Sequence, residues 1–390
     1  MFLFTAIIMM ILTGAEIDLF VPSFPQLQHI FGLTPFMVEL TLSVNLIAHC
    51  ITALVAGSLG DKYGRKPIII IGLVIFIIGS ICCFYAENYP ILLFGRLLQG
   101  IGISGPAVLT YVLISDLYPV ARLQHLMGMI NGAVTIAMAS APVLGSYINL
   151  WFNWRGNFLA LLILGIFCLL LCLLFVPNRP ATDNVKISFK DYSPVFKSRK
   201  AMLYLISLCF AMQSYWVFIG MSPILYIEDL GVTLQDFGLY QGAIAAVFAT
   251  SSLTGSYFIK RFGPFKCFII SSYIIGIFFI LNLMITILVI KDPLLITITM
   301  LFQAVGMSYP VNILWPLAIN SVENAKGRVG AIIVSLRLIL SAIAIESASY
   351  FYNGSFLSIG ITICITLIIS AITCYLLFKE YRVLQLSHSS

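Results

Sequence analysis

Twelve apolar runs occupy most of this 390-residue chain, at about 2–22, 37–57, 67–86, 91–114, 126–149, 156–176, 201–222, 237–258, 266–290, 294–315, 328–351 and 355–378. Each is long enough to cross about 30 Å of hydrocarbon as a helix. Charged residues make up only 9% of the chain against about 25% in a soluble domain, and hydrophobic residues make up 61%. The expectation is an integral membrane protein with twelve transmembrane helices.

The basic residues orient it. Seventeen of the 21 Lys and Arg side chains fall on one face: the even-numbered connections and the termini. Only Arg155 and Lys291 fall on the other, while Arg96 and Arg337 lie inside spans. Cytoplasmic loops carry the excess of Lys and Arg, so both termini are expected in the cytoplasm of a cell whose inner membrane holds the chain. The net charge of +6 is scattered over these loops and forms no patch for nucleic acid. The nine cysteines sit in or beside apolar runs with no metal-like spacing and read as apolar fillers. Nothing calls for a cofactor or a metal. The first fifteen residues lack a basic leader and a small-residue cleavage site and read as a retained first helix.

The hydrophilic stretch 177–200 divides the chain into six spans at 1–176 and six at 201–378, with a cytoplasmic tail at 379–390. Between spans 2 and 3 lies Gly57-Ser58-Leu59-Gly60-Asp61-Lys62-Tyr63-Gly64-Arg65-Lys66-Pro67, whose four charges and three glycines require a sharp turn at the membrane surface. Between spans 8 and 9 a decayed copy, Gly255 to Lys266, keeps glycines and bases but lacks the Asp. Such an internal repeat implies two bundles rocking about a central site. Small residues recur every fourth position on spans 5 (Ala133, Ala137, Ala141, Gly145), 8 (Gly238, Gly242, Ala246, Thr250), 2 (Ala48, Thr52, Ala56) and 11 (Gly327, Ala331, Ser335). They mark seams where helix backbones approach closely, within one bundle or between sliding ones.

Charges inside spans are costly and mark function. Span 1 carries Glu16 and Asp18, and span 4 carries Arg96. At about 1.5 Å per residue, Asp18 lies about 25 Å from the cytoplasmic end and Arg96 about 9 Å below the outer surface, levels similar enough to suggest a pair. An adjacent arginine favours the ionised carboxylate and dehydration favours the protonated one, so proton binding would follow the opening and closing of a cavity. Glu16 and Asp18 are turned about 200° apart, and either is a candidate proton site. Arg337, near the middle of span 11 and level with Asn45 and His49, has two roles open to it. It binds an anionic group of a substrate, or it is satisfied by Glu16, Asn45 or a carbonyl. Glu39 and Glu346, near outer helix ends, are expected to be hydrated. Spans 1, 4, 7 and 10 would line a cavity with Phe20, Gln99, Gln213, Tyr215, Trp216, Tyr309, Asn312 and Trp315, aromatics and amides suited to a bulky amphipathic guest.

The Gly57–Pro67 string resembles the signature loop of the major facilitator superfamily, G-x-L-(A/S/G)-D-(R/K)-x-G-R-(R/K)-x. Arg96-x-x-Gln99-Gly100-x-Gly102 is similar to that family's R-x-x-Q-G-x-G motif, linked there to proton coupling, and Ala141-Pro142-Val143-Leu144-Gly145 to its antiporter motif on helix 5. Asp18-x-x-x-Pro22-x-x-Pro25 and Ser222-Pro223-Ile224-Leu225-Tyr226 with Leu230-Gly231-Val232 resemble segments of the Bcr/CflA drug-resistance group. The resemblance implies an all-α fold of two pseudo-symmetric six-helix bundles. It also implies proton-driven export of amphipathic drugs by alternating access, with protons, a small-molecule substrate and the bilayer as partners and the chain acting as a monomer. Asp18, Glu16 and Arg96 would couple protons. Gly57, Asp61, Gly64, Arg65 and Asp116 would form a cytoplasmic gate, Arg65 pairing with Asp116 and Asp61 facing the start of helix 11. The alternative keeps the fold but carries one metabolite or siderophore, an anionic one being held by Arg337. A membrane enzyme would need converging reactive groups, and His29, His125 and His388 lie in unrelated loops or the tail. No nucleotide loop of the G-x-x-x-x-G-K-S/T type is present, and re-entrant pore segments are not apparent.

Overall fold

The computed structural model describes residues 1–178, 192–322 and 326–381. Most of the expected linker (179–191) and the end of the tail (382–390) lie outside the described residues, as do Arg179, Lys186, Lys190, Arg382 and His388 among the basic and histidine positions. Nearly every described residue is helical and none is in a strand. In hydrocarbon no water can pair with backbone N–H and C=O groups, and the helix pairs them within a single segment.

The helices are α1 (Phe2–Asp18), α2 (Phe24–Phe31), α3 (Pro35–Tyr63), α4 (Arg65–Phe84), α5 (Tyr89–Leu117), α6 (Val120–Phe175), α7 (Ser193–Lys197), α8 (Arg199–Pro223), α9 (Leu234–Phe262), α10 (Pro264–Leu288), α11 (Pro293–Ile319), α12 (Lys326–Tyr350) and α13 (Leu357–Tyr381). Starts are encoded locally. Thr34, Asn88 and Asp292 each accept a backbone N–H of the first turn through a side-chain oxygen, and a proline follows within two residues. Proline is tolerated there because the first N–H groups of a helix have no carbonyl to meet.

Among the described residues, eleven segments are long and apolar enough to cross a membrane. One of these counts twice. As an unbroken helix, the 56 residues of α6 would be about 84 Å long, nearly three bilayer cores. At Asn153 the backbone leaves helical geometry (φ 58°, ψ −178°), so α6 is two spans, and the total is twelve. Its outer surface exposes Ile163, Phe167, Leu170 and Leu174, a stripe at helical spacing suited to lipid rather than water.

Two spans run further than their apolar patterns. The first does not end at residue 22. Pro22 and Pro25 have no N–H to give the preceding turn, so α1 stops at Asp18, a 3₁₀ turn carries Val21–Ser23, and α2 resumes to Phe31. Likewise α8 reaches Pro223 and passes into a π-turn at Ile224–Asp229. The two repeat loops share one backbone turn: Gly64 has φ 92°, ψ 147° and Gly263 has φ 84°, ψ 150°. That region is open to glycine and strained for other residues, which explains why the glycine persists where the Asp does not.

The chain forms two compact units, Met1–Ile187 with Thr233–Gly242, and Ser188–Val232 with Ala243–Ser390. In the first, α5 packs between α3 and α4, and α1 packs along α6. The small-residue ridge of α6 serves this second seam: a Cβ on Gly14 would meet Val134 O at 2.9 Å and Ala137 Cβ at 3.3 Å. A Cβ on Gly145 would lie 2.2 Å from Leu19 O, at the break in the first span. In the second unit, α8 packs against α12 and α13 around Leu205, Leu208, Leu314, Ile333 and Leu377.

Gly145→Val should therefore force the broken segment off α6 and destabilise the protein by about 2 kcal/mol or more, read by thermal unfolding in detergent. Gly276→Ala, where a Cβ meets nothing within 4 Å, should leave the unfolding temperature unchanged or raise it. Equal effects of the two would mean that the close approach at Leu19 carries no packing energy.

Candidate functional site

Arg96 lies in α5 with no exposed surface, and the first unit is built around its guanidinium. Its Nη1 is 3.5 Å from Glu16 Oε1 on α1 and donates to Gln99 Oε1 at 2.9 Å. Its Nε donates to the carbonyl of Thr41 on α3 at 3.2 Å, and its Cζ sits 4.7 Å from the centre of the Phe20 ring. Asn45 on α3 donates to Glu16 Oε1 at 2.6 Å and to the Arg96 carbonyl at 3.3 Å. Gln99 passes the chain on to Ser80 Oγ on α4 at 2.9 Å. One charge pair thus ties together α1, α3, α4 and α5. A Cβ on Gly100 would meet Asn45 O at 2.2 Å, so the glycine after Gln99 is what lets α5 approach α3 this closely.

Arg96 takes Glu16 as its partner, and the pairing of Arg96 with Asp18 suggested by depth is not formed. Two residues of helix turn Asp18 to a different face. There it is 1% exposed, and neither carboxylate oxygen has a hydrogen-bond partner among the described residues. It is also the last residue of α1, immediately before the proline break. The broken segment after it is stitched to α6 by amides. Asn149 Nδ2 donates to Pro22 O at 3.3 Å, Asn157 Nδ2 to Ser23 Oγ at 2.7 Å, and Gln26 Nε2 to Asn153 Oδ1 at 3.1 Å. The backbone N–H of Trp154 donates to Gln26 Oε1 at 2.8 Å. Sequence reasoning missed this set. Its signal was three asparagines at four-residue spacing in an apolar run, opposite a segment whose prolines leave carbonyls without helical donors.

Pro142 and Gly145 lie on the same arm of α6, with Ser146 Oγ donating to Pro142 O at 2.9 Å. At the other end of the unit, Arg65 bridges Asp61 Oδ1 at 2.8 Å and Asp116 Oδ2 at 2.6 Å, all partly exposed. It links the end of α3, the start of α4 and the end of α5 across the turn at Gly64, while Gly57 has open space around it.

Phe20 and Gln99, expected on a cavity wall, are both fully buried against Arg96. Phe20 also packs on Phe24 and Phe158, with ring centres 5.2 Å and 4.7 Å away. Glu39, expected to be hydrated, has no exposed surface, because α3 begins four residues earlier and α2 packs over its first turns.

In the second unit, Gln213 donates to Cys209 O at 2.8 Å and Arg337 O at 3.4 Å, and accepts from Ser341 Oγ at 2.8 Å. The half-buried Arg337 places its Cζ 5.7 Å from the Trp216 ring. Tyr215 stacks on Phe248 at 5.4 Å. Asn312 donates to Ser252 O at 3.0 Å, Tyr309 packs on Cys267 and Ile313, and Trp315 on the core around Leu314. Among the described residues no group of His, Cys, Asp and Glu is arranged to hold a metal.

A family model described as Major Facilitator Superfamily matches residues 6–345. "Multidrug resistance protein MdtL" of Escherichia coli O9:H4 (strain HS) is 28% identical over 264 residues, 67% of this chain and 68% of that protein, and the protein of that name from Shigella flexneri matches equally. Among solved structures, a D-xylose–proton symporter superposes with a TM-score of 0.75 at 17% identity, covering 95% of this chain and 96% of that one. A bacterial homologue of the human lysosomal transporter Spinster, inward-facing and unoccupied, superposes with a TM-score of 0.73 at 16% identity, covering 98% and 97%. At these identities the structures speak for the fold.

Removing one partner of a fully buried ion pair strands the other charge. Arg96→Met should cost about 3 kcal/mol or more in detergent unfolding, and adding Glu16→Gln should recover at least half of that loss. If the double variant is no more stable than Arg96→Met, the Glu16–Arg96 pair is not what holds these helices.

Proposed function

The chain belongs to the Major Facilitator Superfamily, whose members are transporters and not enzymes, and from that premise we propose that it exports amphipathic small molecules by proton antiport. The efflux direction and the breadth of cargo are supported by 28% identity to proteins named for multidrug resistance and by the likeness of Asp18, Pro22, Pro25, Pro142 and Gly145 to drug-antiporter motifs of the Bcr/CflA type. In this reading the two six-helix bundles, 1–176 and 201–378, rock about a substrate site with the linker and both termini in the cytoplasm of an inner membrane. One copy of the chain suffices.

The observation that carries the mechanism is the unequal treatment of the two acids of α1. Glu16 has a guanidinium and an amide to balance its charge, and its role is to hold Arg96 and the four helices in register. Asp18 is buried with no hydrogen-bond donor among the described residues, a situation a neutral acid tolerates and a carboxylate does not. Asp18 therefore carries the proton. It is protonated while the segment around Pro22 is closed, and it loses the proton when that segment parts from α6 and water or a cationic cargo reaches the carboxylate. The break beside it supplies the movement, since the 3₁₀ turn and α2 are held to α6 by side-chain amides rather than by a continuous helix. Arg65, joined to Asp61 and Asp116, latches the cytoplasmic ends of α3, α4 and α5 in one of the two states.

A second reading has a specific observation in its favour: Arg337 sits half-buried over the face of Trp216, a site suited to the carboxylate of a metabolite or siderophore.

In proteoliposomes loaded with a cationic dye, an imposed pH gradient should drive transport by the wild type. Asp18→Asn should lower the gradient-driven rate by about tenfold or more, while Glu16→Gln keeps its dependence on the gradient at reduced yield. Gradient-driven transport that survives Asp18→Asn would reject Asp18 as the carrier. Transport confined to carboxylates and lost in Arg337→Gln would favour the second reading.

A further inference from the structure

A cavity of about 500 Å³ lies wholly inside the second unit, among α8, α10, α11 and α13. Small-molecule sites span about 300–1,000 Å³. The walls are almost entirely apolar, with Phe278, Met307, Leu314 and Leu367 buried behind them. One end is closed by Phe268 against Phe378, edge to face at 4.7 Å.

The mouth opens on the outer surface between α10 and α13, where Ser272, Gly276, Ile368, Ala371 and Tyr375 are exposed. The flanking outer residues of the same helices, Tyr273, Ile277, Ile365 and Ile372, are large, apolar and exposed. That surface faces hydrocarbon, so whatever enters comes from the bilayer.

The inner wall carries one polar device. Ser214 on α8 donates its hydroxyl proton to Ala211 O at 3.2 Å, and so presents only a lone pair to Gln303 on α11. Gln303 answers with its amide nitrogen, Nε2 to Ser214 Oγ at 2.8 Å. With a second contact from Nε2 to Met307 Sδ at 3.3 Å, this sets the orientation of the amide and leaves Oε1 as a buried acceptor without a donor among the described residues. Gln303 is 1% exposed, and Oε1 has no hydrogen-bond partner among the described residues. A buried carbonyl left this way costs about 1–3 kcal/mol, so a ligand that donates to it is selected.

We propose that this cavity binds a neutral, bilayer-dissolved amphiphile with an apolar body and a single hydroxyl group, the hydroxyl donating to Gln303 Oε1. A cation is disfavoured because among the cavity walls there is no acidic side chain to balance it. A phospholipid tail is disfavoured for a different reason. Gln303 is ten residues into α11, about 15 Å below its start, so only the donor-free end of an acyl chain reaches it. The site is independent of the cargo and direction proposed above.

The test is photolabelling of the protein in proteoliposomes with a diazirine-bearing dodecanol, its methyl ether and a diazirine phospholipid, with labelled residues mapped by mass spectrometry. The alcohol should label the mouth around Ser272, Gly276 and Ala371 and exceed the ether there by about fivefold or more. Gln303→Leu should reduce the alcohol to the level of the ether. Gly276→Leu, whose Cβ meets no neighbour within 4 Å, should fold normally and abolish labelling by filling the mouth. Equal labelling by alcohol and ether, labelling unchanged in Gln303→Leu, or phospholipid labelling that excess alcohol does not displace would each overturn the proposal.

Discussion

A guanidinium cannot be left alone in a membrane protein's interior, and the first unit of this transporter is organised by that constraint. Arg96 is fully buried, so its donors must find acceptors that no solvent supplies. Glu16, Gln99 and the Thr41 carbonyl meet Nη1 and Nε, while Nη2 has no hydrogen-bond partner among the described residues, and each acceptor comes with its own requirement. Glu16 recruits Asn45, Gln99 recruits Ser80, and the arrangement is possible only because Gly100 allows α3 and α5 to come together. A network of this kind contributes register more than net stability, because dehydrating the charges offsets most of their attraction. What it secures is the register of α1, α3, α4 and α5 against one another.

The neighbouring segment is built on the opposite principle. Prolines 22 and 25 remove backbone hydrogen bonds, and the chain between α1 and α2 keeps its place through Asn149, Asn153 and Asn157 of α6. Side-chain amides can exchange partners with water at a modest net difference. Asp18 stands at the boundary between the charge-paired part and the part held by side-chain amides. A break in helix type also occurs in the second unit, where α8 gives way to a π-turn after Pro223.

How much of this was legible beforehand follows from which physical variable each feature depends on. Spans and the double nature of α6 depend on local composition and emerge from the apolar runs, which separate 126–149 from 156–176, whereas the caps at Thr34 and Asp292 are equally local and went unread. The Arg65–Asp116 contact came through resemblance to a known loop. The partner of Arg96 depends on rotation about a helix axis, which depth estimates do not carry, and so Glu16 rather than Asp18 meets it. Glu39 was misjudged because its burial comes from α2, a piece of helix hidden behind two prolines that read as the end of a span. Phe20 and Gln99 were assigned to a cavity by their type, while their positions are governed by Arg96. The acceptor on Gln303 had no signature at all, since it arises from where the Ser214 proton goes.

The central claim is that one α1 acid holds the proton and the other holds the structure. Infrared difference spectroscopy of the reconstituted protein, stepped from acidic to alkaline pH, reads this directly through the stretch of a protonated carboxyl in an apolar site. A protonated-carboxyl band that titrates in the wild type and in Glu16→Gln but is missing in Asp18→Asn is the predicted result. A band that survives in Asp18→Asn and vanishes in Glu16→Gln would contradict it and move the proton to the acid beside Arg96.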